Sequence, residues 1–408
     1  MSLRPVVVVT GANAGVGYGI CRRLLFQLCL PDPPDSSPQA WERRSGDTHE
    51  EEPVRYDGLT LIMACRSTQR AEAARKTLYA DLDAHVAGLR VRPNYDGHAD
   101  AFRNNLKIEI EYLDLSVLST VFNFAAQIAK RHTYISHLIF NAGVANFTGI
   151  DWPACMRQLA TSVLDAITRP RYNLQSVGEV SVDGFGWIWQ SNVFGHYVLF
   201  RELEPLLKCS TYAADARVVW SSSLESSPRF FDSADWQLTK TAHSYESCKY
   251  QIDLIAPILD RRALQDPPRH VRHFISQPGV CHTAISSKLA TPGGVLDHLK
   301  VLSFYFGRIL FGSRHHPISA MNSAVVAVHL ILVSISYITF GAKNDADAES
   351  LVPIRFGAET DRWGNPEVGT TPVEEWKEHA ADGEILLGKC EDIYRGLVAK
   401  QNAKTPAL

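Results

Sequence analysis

The sequence predicts an α/β protein built on a doubly wound parallel sheet, and three observations carry that prediction. Val6 to Val9 is an unbroken β-branched run, the pattern of a strand buried on both faces. Further strand-like runs alternate with helical segments of roughly 10–15 residues, the rhythm of repeated βαβ units. A turn holding three glycines, Thr10-Gly11-Ala12-Asn13-Ala14-Gly15-Val16-Gly17, joins the first run to the first helical segment.

Taken in order, the elements are these. After Val6–Val9 the pattern turns helical from Tyr18 to Leu30, with Ile20, Leu24, Leu25 and Leu28 at three-to-four spacing. A second strand reads at Leu59–Ala64 and a helix at Thr68–Ala80; a third strand reads at Ile108–Leu113 and a helix at Val117–Lys130. Leu138–Phe140, Arg217–Trp220 and Val271–Ile275 supply the fourth to sixth strands, and Leu351–Gly357 the last. Residues 31–57, rich in Pro, Ser, Asp and Glu, read as an exposed, mobile insertion, and 86–105 and 145–186 as further insertions. With no internal repeat and no shift in composition, the expectation is one domain over residues 1–408, enlarged at its surface.

Composition narrows the function. Of 408 residues 45% are apolar and 21% charged, as in an ordinary globular protein, which argues against a disordered chain, a collagen-like chain or a multi-span transporter. A net charge of −3 lacks the basic excess that binding a phosphate backbone requires, so nucleic acid is not an expected partner. The eight cysteines include no C-x-x-C pair, so no metal site is expected and free thiols in a reducing compartment are. MSLRP runs straight into VVVVT without the apolar stretch of a signal peptide.

Glycines at 11, 15 and 17 let the backbone turn tightly and approach a pyrophosphate, while the helix that follows offers unpaired N–H groups and a positive dipole end. The second strand ends in Ala64-Cys65-Arg66-Ser67, where a dinucleotide fold meets the adenosine ribose. An acidic residue there would bind the 2′-hydroxyl of NAD; Arg66 instead suits the 2′-phosphate of NADP. Asp114, ending the third strand, can reach the adenine edge or act as a helix N-cap. Tyr245 and Lys249, four apart, share one face of a helix, so the lysine charge can stabilise a phenolate. Trp220-Ser221-Ser222-Ser223, ending the fifth strand, offers a hydroxyl to hold a carbonyl oxygen.

At these residues the chain resembles the short-chain dehydrogenase/reductase family, through its whole core. The family's T-G-x-x-x-G-x-G is similar to Thr10–Gly17, its N-A-G to Asn141-Ala142-Gly143, its helix asparagine to Asn192, and its P-G turn to Pro278-Gly279-Val280 followed by Thr283. Its catalytic serine resembles Ser223, with Ser221 and Ser222 left open because the 22-residue gap to Tyr245 is longer than usual. The resemblance implies a Rossmann-type core, NADPH as cofactor, Tyr245 as general acid, Lys249 lowering its pKa and holding the nicotinamide ribose, Ser223 stabilising the oxyanion, and Asn192 holding a relay water. The inserted loop Leu224–Ser244, with Phe230, Phe231 and Trp236, is expected over the active site.

From Val295 to Phe311 one broad arc holds Val295, Leu299, Leu302, Tyr305, Phe306, Ile309 and Leu310, and the other side holds Asp297, Lys300, Ser303, Gly307 and Arg308. This suits a helix lying in a membrane interface, and a core-packing helix would show the same arcs. No Asp, Glu, Lys or Arg occurs over 28 residues from His315 to Ala342, enough to span a bilayer, but the histidines and Pro317 inside it favour a buried helix. Residues 293–345 are thus expected to form a substrate lid associated with a membrane. Within the family the chain is most similar to the branch of reductases that act on 3-keto-steroids in fungal sterol C4-demethylation, and to their animal counterparts that also take 17-keto-steroids. The shared features are TGANAGVGYGI, the extended serine-to-tyrosine loop ending in His-Ser-Tyr-Glu-Ser-Cys-Lys, the aromatic segment after the Pro-Gly turn, and Phe356-Gly357 followed by Asp361-Arg362-Trp363-Gly364. That implies reduction of a sterone to a 3β-hydroxysterol at the cytosolic face of the endoplasmic reticulum or on lipid droplets, contact with other C4-demethylation enzymes, and the homodimer common in the family. A reductase of retinal and a catalytically lapsed NADP-binding scaffold are the competing readings.

Overall fold

The computed structural model describes residues 4–39, 41–42, 56–212, 215–265, 271–283, 293–340 and 352–404. Its strands are β1 (Val6–Thr10), β2 (Leu59–Cys65), β3 (Leu106–Tyr112), β4 (His137–Phe140), β5 (Phe147–Ile150), β6 (Asn173–Gln175), β7 (Ala216–Ser221), β8 (Val271–Gln277), β9 (Ile354–Thr360) and β10 (Pro366–Pro372). Eight of them form one sheet in the order β10-β9-β8-β7-β4-β1-β2-β3, parallel except for the antiparallel edge strand β10. The order reverses between β1 and β4, and in a doubly wound sheet the crevice at such a reversal is where ligands bind.

Alternation along β1 divides the core in two. Val6 and Val8 pack with the helices Leu118–Arg131, Gly195–Lys208 and Ser244–Leu264, while Val7 and Val9 pack with Gly15–Leu28, Thr68–Arg90 and Val325–Leu332. All four valines are buried, so a strand with no polar face is what this position demands. The closing helix Trp376–Lys404 lies on helices Gly195–Lys208 and Ser244–Leu264, where Tyr197 and Arg201 both bond Glu391 and the Tyr394 hydroxyl donates to Glu202 at 2.8 Å.

Several expectations are corrected. Residues 86–105 are ordered rather than an exposed polar stretch: the second helix runs to Arg90, and a further helix, His98–Asn104, buries Ala99 and Phe102. Residues 145–186 hold the β5–β6 ribbon and the helices Trp152–Thr161 and Val163–Thr168. The insertion at 31–57 is anchored over its described part rather than loose. Arg23 donates to both Asp35 oxygens at 2.5 and 2.7 Å, and His329 sits between the Asp35 carbonyl and the Glu42 carboxylate at 2.8 and 2.9 Å. Trp41 Nε1 donates to the Val368 carbonyl while the Val368 N–H donates to Gln39, so the insertion satisfies outward-facing groups of the edge strand β10. Residues 43–55 lie outside the described residues.

The uncharged stretch after His315 breaks into the short helices Ala320–Ser323, Val325–Leu332 and Ile335–Phe340, and Val325–Leu332 is buried against the sheet, as expected. Among the described residues no helix is long and apolar enough to cross a membrane. The helix Val295–Ile309 turns its apolar arc outward: Leu299 is 55% and Leu302 64% exposed, whereas Asp297, Gly307 and Arg308 are buried. Asp297 is held by His282 at 3.0 Å and by Lys300 at 3.2 Å, and a Cβ on Gly307 would lie 2.8 Å from Ile167. The core-packing alternative for this arc therefore does not hold.

Candidate active site

The first βα turn is a cradle that side chains would fill. Gly11 adopts φ +68°, and a Cβ on it would lie 3.0 Å from the Ala142 Cα. A Cβ on Gly17 would lie 2.4 Å from both the Gly11 carbonyl oxygen and Asn141 Nδ2, so only glycine fits there. The Thr10 hydroxyl accepts from the Asn141 and Ala142 N–H groups at 3.0 and 2.9 Å, and Asn141 Nδ2 donates to the Thr10 carbonyl at 2.9 Å. These bonds stitch Asn141-Ala142-Gly143 to the glycine turn across the β1/β4 reversal. The helix Gly15–Leu28 starts at Ala14 with no side-chain cap, and Asn13 and Val16 are half-buried beside it. Its first N–H groups thus face an anion site.

Around the cradle, Arg66 is exposed at the end of β2 and the Ser67 hydroxyl accepts from Arg70 N to begin the next helix. Thr283 approaches Gly15, with its Cγ2 3.4 Å from where a Cβ would lie. Gly279 of the Pro278-Gly279-Val280 turn has φ +68°, and the Val280 N–H donates to the His315 carbonyl at 2.7 Å. Asp114 is not a helix N-cap. Its carboxylate accepts from Ser116 N and Oγ at 3.0 and 2.7 Å, while Val117 caps the helix and Asp183 accepts from Leu118 N at 2.8 Å.

The reacting groups meet at the C-terminal ends of β4 and β7. Lys249 Nζ donates to the Ser221 carbonyl at 2.7 Å and lies 5.8 Å from the centre of the Tyr245 ring. Tyr245, buried edge-on to Phe147, has its N–H held by Gln175 at 2.9 Å, and the Ser223 side chain favours its phenolate. The other two serines are occupied elsewhere: Ser221 Oγ meets Ser276 Oγ at 3.4 Å, and Ser222 Oγ donates to the Lys249 carbonyl at 3.4 Å. The Ser223 hydroxyl accepts from the Glu225 N–H at 3.1 Å.

Asn192 lies in a π turn, Gln190–Phe194, a local widening that frees carbonyls of the helix. Its Oδ1 accepts from Val144 N at 2.8 Å, and its Nδ2 donates to the Val144 carbonyl at 2.8 Å and to Cys248 Sγ at 3.3 Å. A Cβ on Gly143 would sit 3.2 Å from Asn192 Oδ1 and 3.8 Å from Lys249 Nζ, so both border one small space.

Burial sets the charges. It pushes the Tyr245 phenol well above its ordinary range, helped by the Glu225 and Cys248 side chains, while Ser223 opposes it. Burial lowers the Lys249 ammonium, and the Cys248 and Asp253 side chains resist that. Tyr245 is therefore a protonated acid at neutral pH, with the cation close by.

Three further groups lie outside the motifs read from the sequence. His196 stacks on Phe140 at 4.5 Å and joins the Asn192 carbonyl to the Thr10 hydroxyl, each at 3.1 Å; burial pushes its imidazole down to about 3. Glu225 has one carboxyl oxygen sealed from solvent without a partner, and burial together with Glu246 pushes it up to about 8. It lines a cavity of about 90 Å³ with Glu246, Arg169, Arg171, Leu224 and Phe230. Asp253 lies four residues beyond Lys249 on the same helix, so helical spacing read onward from the Tyr-Lys pair would have found it. The loop Leu224–Ser244 packs Trp236 against Trp189 at 5.0 Å and Phe231 against Tyr250 at 5.5 Å, while Phe230 stacks on His243 within the loop and the Glu225 side chain acts on the Tyr245 phenol.

A second hollow, about 500 Å³, lies against the outward-facing helix and is lined by His282, Gly293, Asp297, His298, Val301, Leu302 and Tyr305. His282 of this lining is followed in the chain by Thr283, which approaches Gly15 of the glycine turn.

No family model matches the chain. The sequence is similar over nearly its whole length to fungal 3-keto-steroid reductases. It is 29% identical over 380 residues to that of Schizosaccharomyces pombe, covering 92% of both chains. It is 27% identical to that of Saccharomyces cerevisiae, covering 91% of this chain and 90% of the relative. With that of Kluyveromyces lactis the identity is 26%, over 97% of this chain and 93% of the relative. Among solved structures, a 3-oxoacyl-[acyl-carrier protein] reductase from Brucella melitensis aligns with a TM-score of 0.48 at 14% identity, covering 84% of this chain and 94% of that one.

Proposed function

We propose that this chain is a short-chain dehydrogenase/reductase that uses NADPH to reduce the 3-ketone of a sterone to the 3β-hydroxysterol, in the C4-demethylation stage of sterol synthesis. The observation that carries the reading is the placing of Ser223, Tyr245 and Lys249 beside a glycine cradle at the sheet reversal. Similarity to the fungal reductases over nine-tenths or more of each chain supports the choice of substrate.

The cradle fits a dinucleotide. Gly11, Asn13, Gly15, Val16 and Gly17 would take the pyrophosphate against the helix start, with Thr10 and Asn141-Ala142-Gly143 as the opposite wall. Arg66 and Ser67 would hold the 2′-phosphate, Asp114 the adenine side, and Pro278-Gly279-Val280 with Thr283 the nicotinamide side. When bound, NADPH supplies the hydride.

The chain's own residues supply the rest. Ser223 and Tyr245 hold the ketone oxygen, and as the carbon–oxygen double bond becomes single the Tyr245 phenol gives its proton to that oxygen. Lys249 stabilises the phenolate left behind and holds the nicotinamide ribose. Asn192, bordering Gly143 alongside the ammonium, holds the water that returns a proton to the site.

The hollow beneath Val295–Ile309 is the sterol's entry, and the outward apolar arc of that helix rests in a membrane surface, peripherally, at the cytosolic face of the endoplasmic reticulum or on lipid droplets. Other enzymes of C4 demethylation and a second copy of the chain are the expected protein partners, and residues 1–408 act as one domain. The test is NADPH oxidation with a sterol 3-ketone in detergent, run beside all-trans-retinal and a 17-keto-steroid. Turnover of the sterone supports the reading; turnover of another carbonyl alone overturns the substrate, and tight NADPH binding without turnover favours a lapsed scaffold.

A further inference from the structure

With the Ser221 and Ser222 hydroxyls on Ser276 and the Lys249 carbonyl, Ser223 is the serine of the run left to serve the phenol, yet it sits in a turn beyond the end of β7, outside the sheet ladder. The structure shows what fixes that turn. Ser226 N donates to the Ser223 carbonyl at 3.2 Å and Glu225 N to the Ser223 hydroxyl at 3.1 Å, so residues 223–226 form a tight loop with Ser223 at its start. On one side of the loop Ser222 is fixed by its N–H to the Ser276 carbonyl at 2.8 Å and by its hydroxyl to the Lys249 carbonyl. On the other side the Ser226 hydroxyl donates to Asp253 Oδ2 at 2.5 Å. Asp253 is 1% exposed, and Arg355 of β9, also buried, reaches the same oxygen at 3.3 Å.

The geometry points to Asp253 as a positioning residue of the active site: seated on the catalytic helix at the third step of Tyr245, Lys249, Asp253, it clamps the far end of the serine turn through Ser226 and so aims Ser223 at the Tyr245 phenol. This inference rests on the proposed reductase reading. The physical case is one of registry. Tyr245 and Lys249 are fixed by the helix, whereas Ser223 belongs to a loop, and a loop hydroxyl holds its aim only if both flanks are tied to the element that carries its partner. Ser222 and Ser226 supply those ties, and both end on the helix Ser244–Leu264, at Lys249 and Asp253. Arg355 keeps the carboxylate compensated in a dry site, where an unpaired charge would be costly. Asp253 does not touch the reacting atoms; it acts through Ser223. Its charge also helps Lys249 stay protonated against burial, an effect in the same direction.

The test uses Ser226→Ala, a small change that leaves the buried Asp253–Arg355 pair in place, with Ser226→Thr as the conservative variant that retains the hydroxyl. In the full-length protein, Ser226→Ala is expected to lower kcat for the sterone by ~10- to 100-fold, the scale of a misplaced catalytic group. KM for the sterone and Kd for NADPH should stay within about threefold, since neither cradle nor hollow is touched, and Ser226→Thr should restore most of kcat. A merely structural role would lower the melting temperature and leave kcat of the folded fraction alone. A crystal structure of Ser226→Ala decides the matter independently of turnover: Ser223 Oγ should move away from the Tyr245 phenol relative to its place in the wild-type protein. Unchanged kcat, or a Ser223 still aimed at the phenol in that structure, overturns the inference. If the wild-type protein reduces no ketone, the functional reading falls while the crystal structure still tests the clamp.

Discussion

The outward apolar arc of Val295–Ile309 makes a quantitative prediction. Leu299, Phe306 and Ile309 are 55%, 44% and 46% exposed and lie outside the lining of the hollow, so a bilayer surface can remove a further half or so of each side chain from water. Burying such a side chain fully contributes roughly 1.5–3 kcal/mol, so about half of each gives ~1 kcal/mol per residue and ~3 kcal/mol for the three. Replacing all three by serine should then weaken partitioning onto vesicles by roughly a hundredfold. The fold should scarcely notice, because these side chains face outward, and the serines cost only about half a kcal/mol each in helix propensity. The assay is flotation with phosphatidylcholine vesicles, with the melting temperature and the detergent-phase turnover measured on the same samples. Wild-type protein should float with the vesicles and the triple variant should stay in the soluble fraction with turnover intact. Equal flotation of the two proteins would refute the reasoning.

Three other consequences follow from the site. Gly17→Ala would drive a Cβ to 2.4 Å from the Gly11 carbonyl, a backbone atom in a strained turn, so a loss of ~1–3 kcal/mol and at least a tenfold weaker NADPH Kd are expected by thermal melt and fluorescence titration. Arg66→Asp should raise KM for NADPH by ~10- to 100-fold, the worth of a charge-assisted bond, with little change for NADH; equal losses for both would remove Arg66 from the cofactor site. Glu225 stays protonated in the folded protein up to about pH 8, whereas the unfolded chain releases that proton near the usual 4.5. The native state therefore binds more protons across that window, and stability should fall as pH rises through it, by up to ~1.4 kcal/mol per unit. Denaturant melts of Glu225→Gln should show a flatter slope between pH 5 and 8, and an identical slope would exclude Glu225 as its source.

The parallel sheet was readable because its central strands are buried on both faces, and a run such as Val6–Val9 has few other uses. The glycine turn and the Tyr245-Lys249 pair were readable for a similar reason: each needs fixed residue types at fixed spacing. What the sequence left hidden depends on partners far away in the chain. Residues 31–42 are polar and look loose, yet Asp35, Gln39, Trp41 and Glu42 are spent on Arg23, His329 and Val368, the last two some 300 residues on. The arcs of Val295–Phe311 were visible, but their direction was not, since periodicity says which residues share a face and nothing about what covers it. That the Ser221 and Ser222 hydroxyls go to Ser276 and the Lys249 carbonyl could not be read from the serine run itself, since both partners lie elsewhere in the chain.

The most direct test of the central claim is Tyr245→Phe. The ring keeps its place against Phe147, and only the phenolic oxygen is lost. NADPH oxidation with a sterol 3-ketone should fall by ~10²–10⁴, the reach of a general acid, while NADPH still binds with a Kd near that of the wild type. Sterone reduction that survives the substitution at a comparable rate would contradict the account.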